Sequence, residues 1–121
     1  MTPEKKVKNN VVKLLKDAGA YYFYPVASGY GASGVPDIVA CIHGRFIGVE
    51  CKANGGKPTA LQEKNLMDIM NTGGIAVLVD ETGMDKFKHL LKVGFPKAGV
   101  IYDMLDGEKY ECGVQSQSLG K

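Results

Sequence analysis

The sequence predicts an α/β domain, a mixed sheet flanked by helices in the order α-β-β-β-α-β-α. Three observations carry that expectation. Apolar residues at helical spacing follow a Thr-Pro-Glu start at the N-terminus. Two runs rich in β-branched residues flank His43-Gly44. A continuous apolar run, Ile75 to Asp80, is reached through a second capped helix.

In the first helix Thr2 is the N-cap, Pro3 opens the first turn and Glu4 follows. Val7, Val11, Leu14, Leu15 and Ala18 form its buried stripe, and Gly19 ends it. Glu4 lies on the line of Val7 and Val11. It therefore has two readings, a first-turn acid favoured by the helix dipole or a member of an inward-facing cluster.

Tyr21 to Val26 reads as a strand. Gly29, Gly31 and Gly34 then match G-x-G-x-x-G, but Val35-Pro36 and a strand follow where a dinucleotide site needs a helix. The stretch reads as a mobile loop able to approach a ligand backbone closely, and no nucleotide cofactor is expected.

Pro36 can open a strand but cannot sit inside a sheet. Ile38–Ile42 and Arg45–Cys51 follow as a hairpin on a two-residue turn at His43-Gly44. Counting outward from Ile42 opposite Arg45 sets Asp37 opposite Glu50, with Cβ atoms roughly 4.5–5.5 Å apart. Alternation puts Lys52 and Gly48 on the face of Glu50, with Gly48 leaving room beside the acids. The opposite face holds Ile38, Ala40, Ile47 and Val49. Val39, Cys41 and Phe46 make the acid-bearing face apolar too, which predicts layers on both sides. A one-residue slip would separate the ionisable groups. Singly, such residues serve as turn caps and surface ion pairs; three converging on an apolar hairpin point to chemistry.

After the polar loop Ala53–Pro58, Thr59-Ala60-Leu61-Gln62 is a capping box that opens a helix with Leu66, Ile69 and Met70 inward. Gln62 has two readings that do not exclude each other, a cap for Thr59 and an inward side chain toward the acids on the line of Leu66 and Ile69, though a capping side chain is less free to touch substrate. The run from Ile75 should lie parallel to the Glu50 strand through a right-handed crossover. Asp85–Lys92 reads as a short helix with Phe87, Leu90 and Leu91 inward. Residues 1–95 form the core of a single domain and 96–121 an extension of it. In that extension Val100–Leu105 and Glu108–Cys112 suggest a small hairpin on Asp106-Gly107, with a frayed end from Gln115.

The chain has 121 residues, 45% of them hydrophobic, which is enough for one modest core. Net charge is only +2, so bulk charge announces no partner. Basic residues are nonetheless concentrated: Lys5, Lys6, Lys8, Lys13 and Lys16 crowd the first helix, and Arg45 is the sole arginine. A phosphate backbone responds to such local stripes. No run approaches the ~20 apolar residues of a membrane span, and no signal-like segment opens the chain. Cys41, Cys51 and Cys112 form no disulfide framework. The first two read as small buried hydrophobes in a reducing compartment. A zinc site from Cys41, His43 and Cys51 lacks the paired spacing of such sites.

Gly34-Val35-Pro36-Asp37 followed by Val49-Glu50-Cys51-Lys52 resembles the PD-(D/E)XK nuclease superfamily, and within it the VRR-NUC branch of small stand-alone phage and bacterial proteins. Glu4, the Gly44-Arg45-Phe46 turn and Lys57-Pro58-Thr59-Ala60-Leu61-Gln62 strengthen the resemblance, which covers about Thr2 to Asp80. It implies a restriction-endonuclease-like fold with an α-β-β-β-α-β core and a Mg²⁺- or Mn²⁺-dependent DNA endonuclease. It makes Asp37 and Glu50 the main metal ligands, with the Cys51 carbonyl oxygen a third. Lys52 would orient water or neutralise the phosphate. Glu4 would act through water or a second ion, and Gln62 would position the water or Lys52. Lys5, Lys8, Lys57 and Lys64 become candidate phosphate contacts. The same resemblance implies a cytoplasmic homodimer cutting branched, Holliday-junction-like DNA, since paired cuts need two sites. A flap or restriction-type nuclease and a catalytically silent DNA-binding domain are the alternatives.

Overall fold

The computed structural model describes residues 1–26 and 34–106. Helix α1 spans Pro3–Asp17, capped by the Thr2 side chain, which accepts the Lys5 N–H at 3.2 Å. Strand β1 is Tyr21–Phe23, β2 Ile38–Ile42 and β3 Arg45–Cys51. Helix α2 spans Ala60–Asn71, β4 Ile75–Val79, α3 Met84–Val93 and β5 Val100–Met104. The sheet order is β1-β2-β3-β4-β5, antiparallel from β1 to β3 and parallel from β3 to β5.

The hairpin register is the expected one, with Ile42 opposite Arg45 and Ile38 opposite Val49. Both turn residues are left-handed, His43 at φ 52° and Gly44 at φ 76°. Such a turn matches the twist of the strands it joins, so it pins the pairing. Strand β1 stops three residues short of the expected Val26. Pro25 has no N–H to give the ladder, which ends before it.

Among the described residues, one face of the sheet carries two helices and the other carries one. Val7, Val11 and Leu15 of α1 pack with Phe87, Leu90 and Leu91 of α3 over Ile38, Ala40, Ile47, Val49 and Val77. On the other face Leu66 of α2 covers Ala76, Leu78 and Leu105. A helix is about 10 Å wide and strands are about 4.8 Å apart, so one helix covers roughly half of five strands. Both faces thus carry helices, as expected, and among the described residues the α2 face is covered only in part. Cys41, expected to be buried, is exposed, and Phe46 on the same face is 48% exposed.

Val100–Met104 is a fifth strand parallel to β4. The expected partner arm, Glu108–Cys112, lies outside the described residues, as do Gly29, Gly31 and Cys112. Among the described residues no helix is long and apolar enough to cross a membrane.

Gly34 is left-handed at φ 77°, and a Cβ there would lie 2.6 Å from the Leu61 carbonyl carbon and 2.9 Å from the Gln62 nitrogen. The close approach expected of this glycine is made to the first turn of α2. Gly34→Ala should therefore cost about 2 kcal/mol or more, because backbone cannot yield cheaply. Gly48 also serves α2: a Cβ would meet Ile69 Cδ1 at 2.6 Å and Pro36 Cγ at 3.2 Å. The room it was expected to leave beside the acids is filled by that packing. Ile69 Cδ1 is the end of a flexible side chain, so Gly48→Ala should cost less than Gly34→Ala. Urea denaturation of the two variants checks the order.

Candidate active site

One step outward from Ile38–Val49, Asp37 and Glu50 face each other at the end of the hairpin away from its turn. Glu4, at the start of α1, closes the group. One carboxylate oxygen from each of Glu4, Asp37 and Glu50 lies within 4.8 Å of the others. Glu4 thus joins the acids while remaining exposed at the rim, and Asp37 is half-buried. Helical spacing left its two readings open, because joining depends on where α1 crosses the sheet end.

Asp37 is held by a contact the sequence did not reveal. Its Oδ2 accepts the Cys51 N–H at 2.8 Å. Lys52 is anchored through its own backbone, whose N–H donates to the Val79 carbonyl at 2.9 Å and extends the β3–β4 ladder. Its side chain is nearly buried and brings Nζ to 3.7 Å from Glu50 Oε2. That separation is an ion contact, too long for a hydrogen bond.

Glu50 is 1% exposed, and among the described residues its Oε2 has no hydrogen-bond partner. Burial pushes its carboxyl up to about 8, and Asp37 adds to the shift by its charge. Lys52 opposes the shift. The Cys51 thiol faces the apolar side, and burial foremost, with the negative charge of Asp37 next, raises its pKa. It is therefore a poor thiolate ligand. Cys41 points to the opposite face and is exposed, which separates two members of the zinc alternative.

Gln62 resolves toward capping. Its Oε1 accepts the Thr59 N–H at 2.9 Å while Thr59 Oγ1 accepts the Gln62 N–H at 3.2 Å, a reciprocal capping box. The candidate DNA-contacting lysines are dispersed. Lys8 Nζ sits 4.8 Å from the centroid of the Tyr24 ring, a cation–π contact. Lys64 pairs with Asp68 at 2.9 Å along α2. Lys5 and Lys57 are exposed.

A sequence profile of the archaeal Holliday junction resolvase (Hjc) family matches residues 4–79, well over half of the chain and including all three acids and Lys52. The chain belongs to the Hjc family. That makes it a nuclease, and a VRR-NUC-like one, as the Gly34–Asp37 and Val49–Lys52 stretches indicated. A solved structure described as a VRR_NUC domain is similar in fold at a TM-score of 0.63. The match has 18% sequence identity and covers 78% of this Hjc-family chain and 100% of that one. Curated protein sequences returned no match.

Proposed function

We propose that this Hjc-family chain is a Mg²⁺- or Mn²⁺-dependent endodeoxyribonuclease that cuts branched DNA as a cytoplasmic homodimer. The observation that carries the metal is the orphaned Glu50 Oε2, buried in a group of three carboxylates with an ammonium alongside. A buried acceptor without a donor is costly, and a cation among the carboxylates would satisfy it. Carboxylate oxygens are hard donors that suit Mg²⁺ or Mn²⁺ and not a thiophilic ion. Asp37 and Glu50 would hold the ion, with the Cys51 carbonyl as third ligand and Glu4 reaching it through water or a second ion. Once bound, it would lower the pKa of a water molecule and offset charge developing on the phosphate.

The chain's own groups do the remainder. The Cys51 N–H fixes the Asp37 carboxylate, so its geometry does not depend on ligand. Lys52 places a positive charge beside Glu50, where it can orient water or meet the negative phosphate. Gln62 keeps its amide nitrogen for positioning water, since its oxygen serves the cap. Lys5, Lys8, Lys57 and Lys64 would touch the DNA backbone. Lys64 would give up an exposed pair with Asp68, worth about 0.3–0.5 kcal/mol.

The test is cleavage of a four-way junction, a flap and a linear duplex side by side, with Mg²⁺ and with Mn²⁺. Lys52→Ala serves as control. Preferential, Lys52-dependent cutting of the junction is expected. Binding of all three without cutting any would replace the reading by a silent DNA-binding domain.

A further inference from the structure

The end of β1 sets an aromatic ring beside the acidic group. Register puts Tyr22 opposite Ala40 and Phe23 opposite Val39. One residue further, Tyr24 comes level with Ile38, the neighbour of Asp37. Alternation turns its side chain to the α1 face, which Tyr22 shares with Ala40 and Ile38. A contact with α1 secures that placement: Lys8 Nζ lies 4.8 Å from the Tyr24 ring centroid. Lys8 stands one helical turn beyond Glu4, roughly 6 Å along the axis, so ring, ammonium and carboxylates are neighbours. The ring is also held in place. Tyr22 packs against the core and meets Tyr24 edge-on, with centroids 6.2 Å apart and planes at 79°. Pro25 confines Tyr24 to extended backbone, because the residue before a proline is kept out of the helical region. Tyr24 is nonetheless 49% exposed. Shielding the seam between α1 and β1 accounts for one side of this ring and leaves the exposed half unused.

We propose that Tyr24 is a stacking platform for one unpaired DNA base next to the phosphate received by the acids, with Lys8 alongside for an adjoining phosphate. The proposal rests on the nuclease reading above and gives that site a means of choosing its substrate. A base offers a π-face whatever its identity, so stacking on a tyrosine carries no sequence preference. It does carry a preference for structure. A base inside a duplex is already paired and stacked, and extracting it costs energy. At a branch point a base is freed at the least cost, so the same ring favours branched over linear DNA. Rigidity adds to the effect, because a ring already fixed by Tyr22 and Pro25 loses little freedom when a base settles on it. The Lys8 ammonium keeps a positive charge where the strand's phosphates must pass.

The test couples the ring to the base. Binding of the full-length protein to a four-way junction is titrated at low salt with EDTA present, so that no strand is cut. A single abasic residue is placed in turn at each nucleotide around the branch point. At one position it should weaken binding by the parent protein about tenfold, the scale of one base–aromatic stack. Tyr24→Leu should weaken binding to the intact junction about as much, and should lose nothing more when that one base is absent. Tyr24→Phe keeps the ring and should bind as the parent does. Tyr24→Gln is made alongside the leucine variant, and circular dichroism shows which of the two is folded. The abasic scan itself needs only the parent protein. Four results would overturn the proposal: a parent that binds no junction or loses nothing at any abasic position, a folded Tyr24→Leu or Tyr24→Gln that binds as the parent does, losses that multiply at every position, or a Tyr24→Phe that loses as much as the leucine. Cleavage plays no part in these titrations. The nuclease reading fails separately, if Asp37→Asn cuts in Mg²⁺ as the parent does.

Discussion

Asp37→Asn should lower DNA cleavage on the order of 10²–10³-fold, the scale of removing one group that stabilises transition-state charge. The fold should remain. The separation follows from the two jobs of this side chain. One is structural, since Oδ2 accepts the Cys51 N–H at 2.8 Å. Asparagine keeps an acceptor oxygen of the same size and reach, so that bond survives. The other is electrostatic, and asparagine offers no negative charge to a divalent ion. Asp37→Ala is the informative companion. It loses the charge and also leaves the Cys51 N–H without a partner at the sheet end, at a cost of about 1–3 kcal/mol. Both variants should be equally inactive, while the alanine alone shows a lower urea midpoint. Junction cleavage and denaturation, measured on the same preparations, check the pair. Full activity in Asp37→Asn would remove Asp37 from the chemistry.

That Asp37 could be named from the sequence owes most to His43 and Gly44. A two-residue turn with both φ values positive permits essentially one register, and counting outward needs no tertiary information. The caps were legible for a similar reason. Thr2 and the Thr59–Gln62 box act within one helical turn. What failed to show depends on neighbours distant in sequence. Alternation places Cys41 and Phe46 on a face, but only the width of α2 against the width of the sheet decides that no described helix covers them. The Val100–Met104 strand pairs in parallel with β4 through a crossover, which nothing within its own residues announces. Alternation alone makes Gly48 leave room beside the acids, because the sequence does not tell that Pro36 and Ile69 close on it. The Asp37 bond to the Cys51 backbone had no side-chain signature at all.

Glu50→Gln should abolish cleavage and yet stabilise the metal-free protein at alkaline pH. Glu50 is 1% exposed, with one oxygen lacking any donor among the described residues. Burial, and then the nearby Asp37 charge, raise its carboxyl from 4.5 to about 8. The folded chain therefore keeps this proton up to about pH 8, whereas the unfolded chain releases it near 4.5. Between those values the folded state binds more protons, so its stability falls as pH rises. The contribution is fully present below pH 4.5 and lost above about 8. A shift of that size corresponds to on the order of 4 kcal/mol. Glutamine is never charged, and its NH₂ can donate where the protonated acid did. In EDTA the parent protein should thus lose roughly 10 °C or more of Tm between pH 5 and 8.5, and Glu50→Gln should lose much less. Added Mg²⁺ should reverse the trend only in the parent, since an ion takes the place of the proton and binds better as pH rises. Thermal denaturation of both proteins over that range, with EDTA and with Mg²⁺, reads all of this. Equal pH slopes for the two would show that Glu50 is charged in the metal-free fold. An unaltered response of Glu50→Gln to Mg²⁺ would place the ion elsewhere. The two outcomes are independent, because the first concerns a proton on a buried acid and the second concerns the oxygen pair that would replace it.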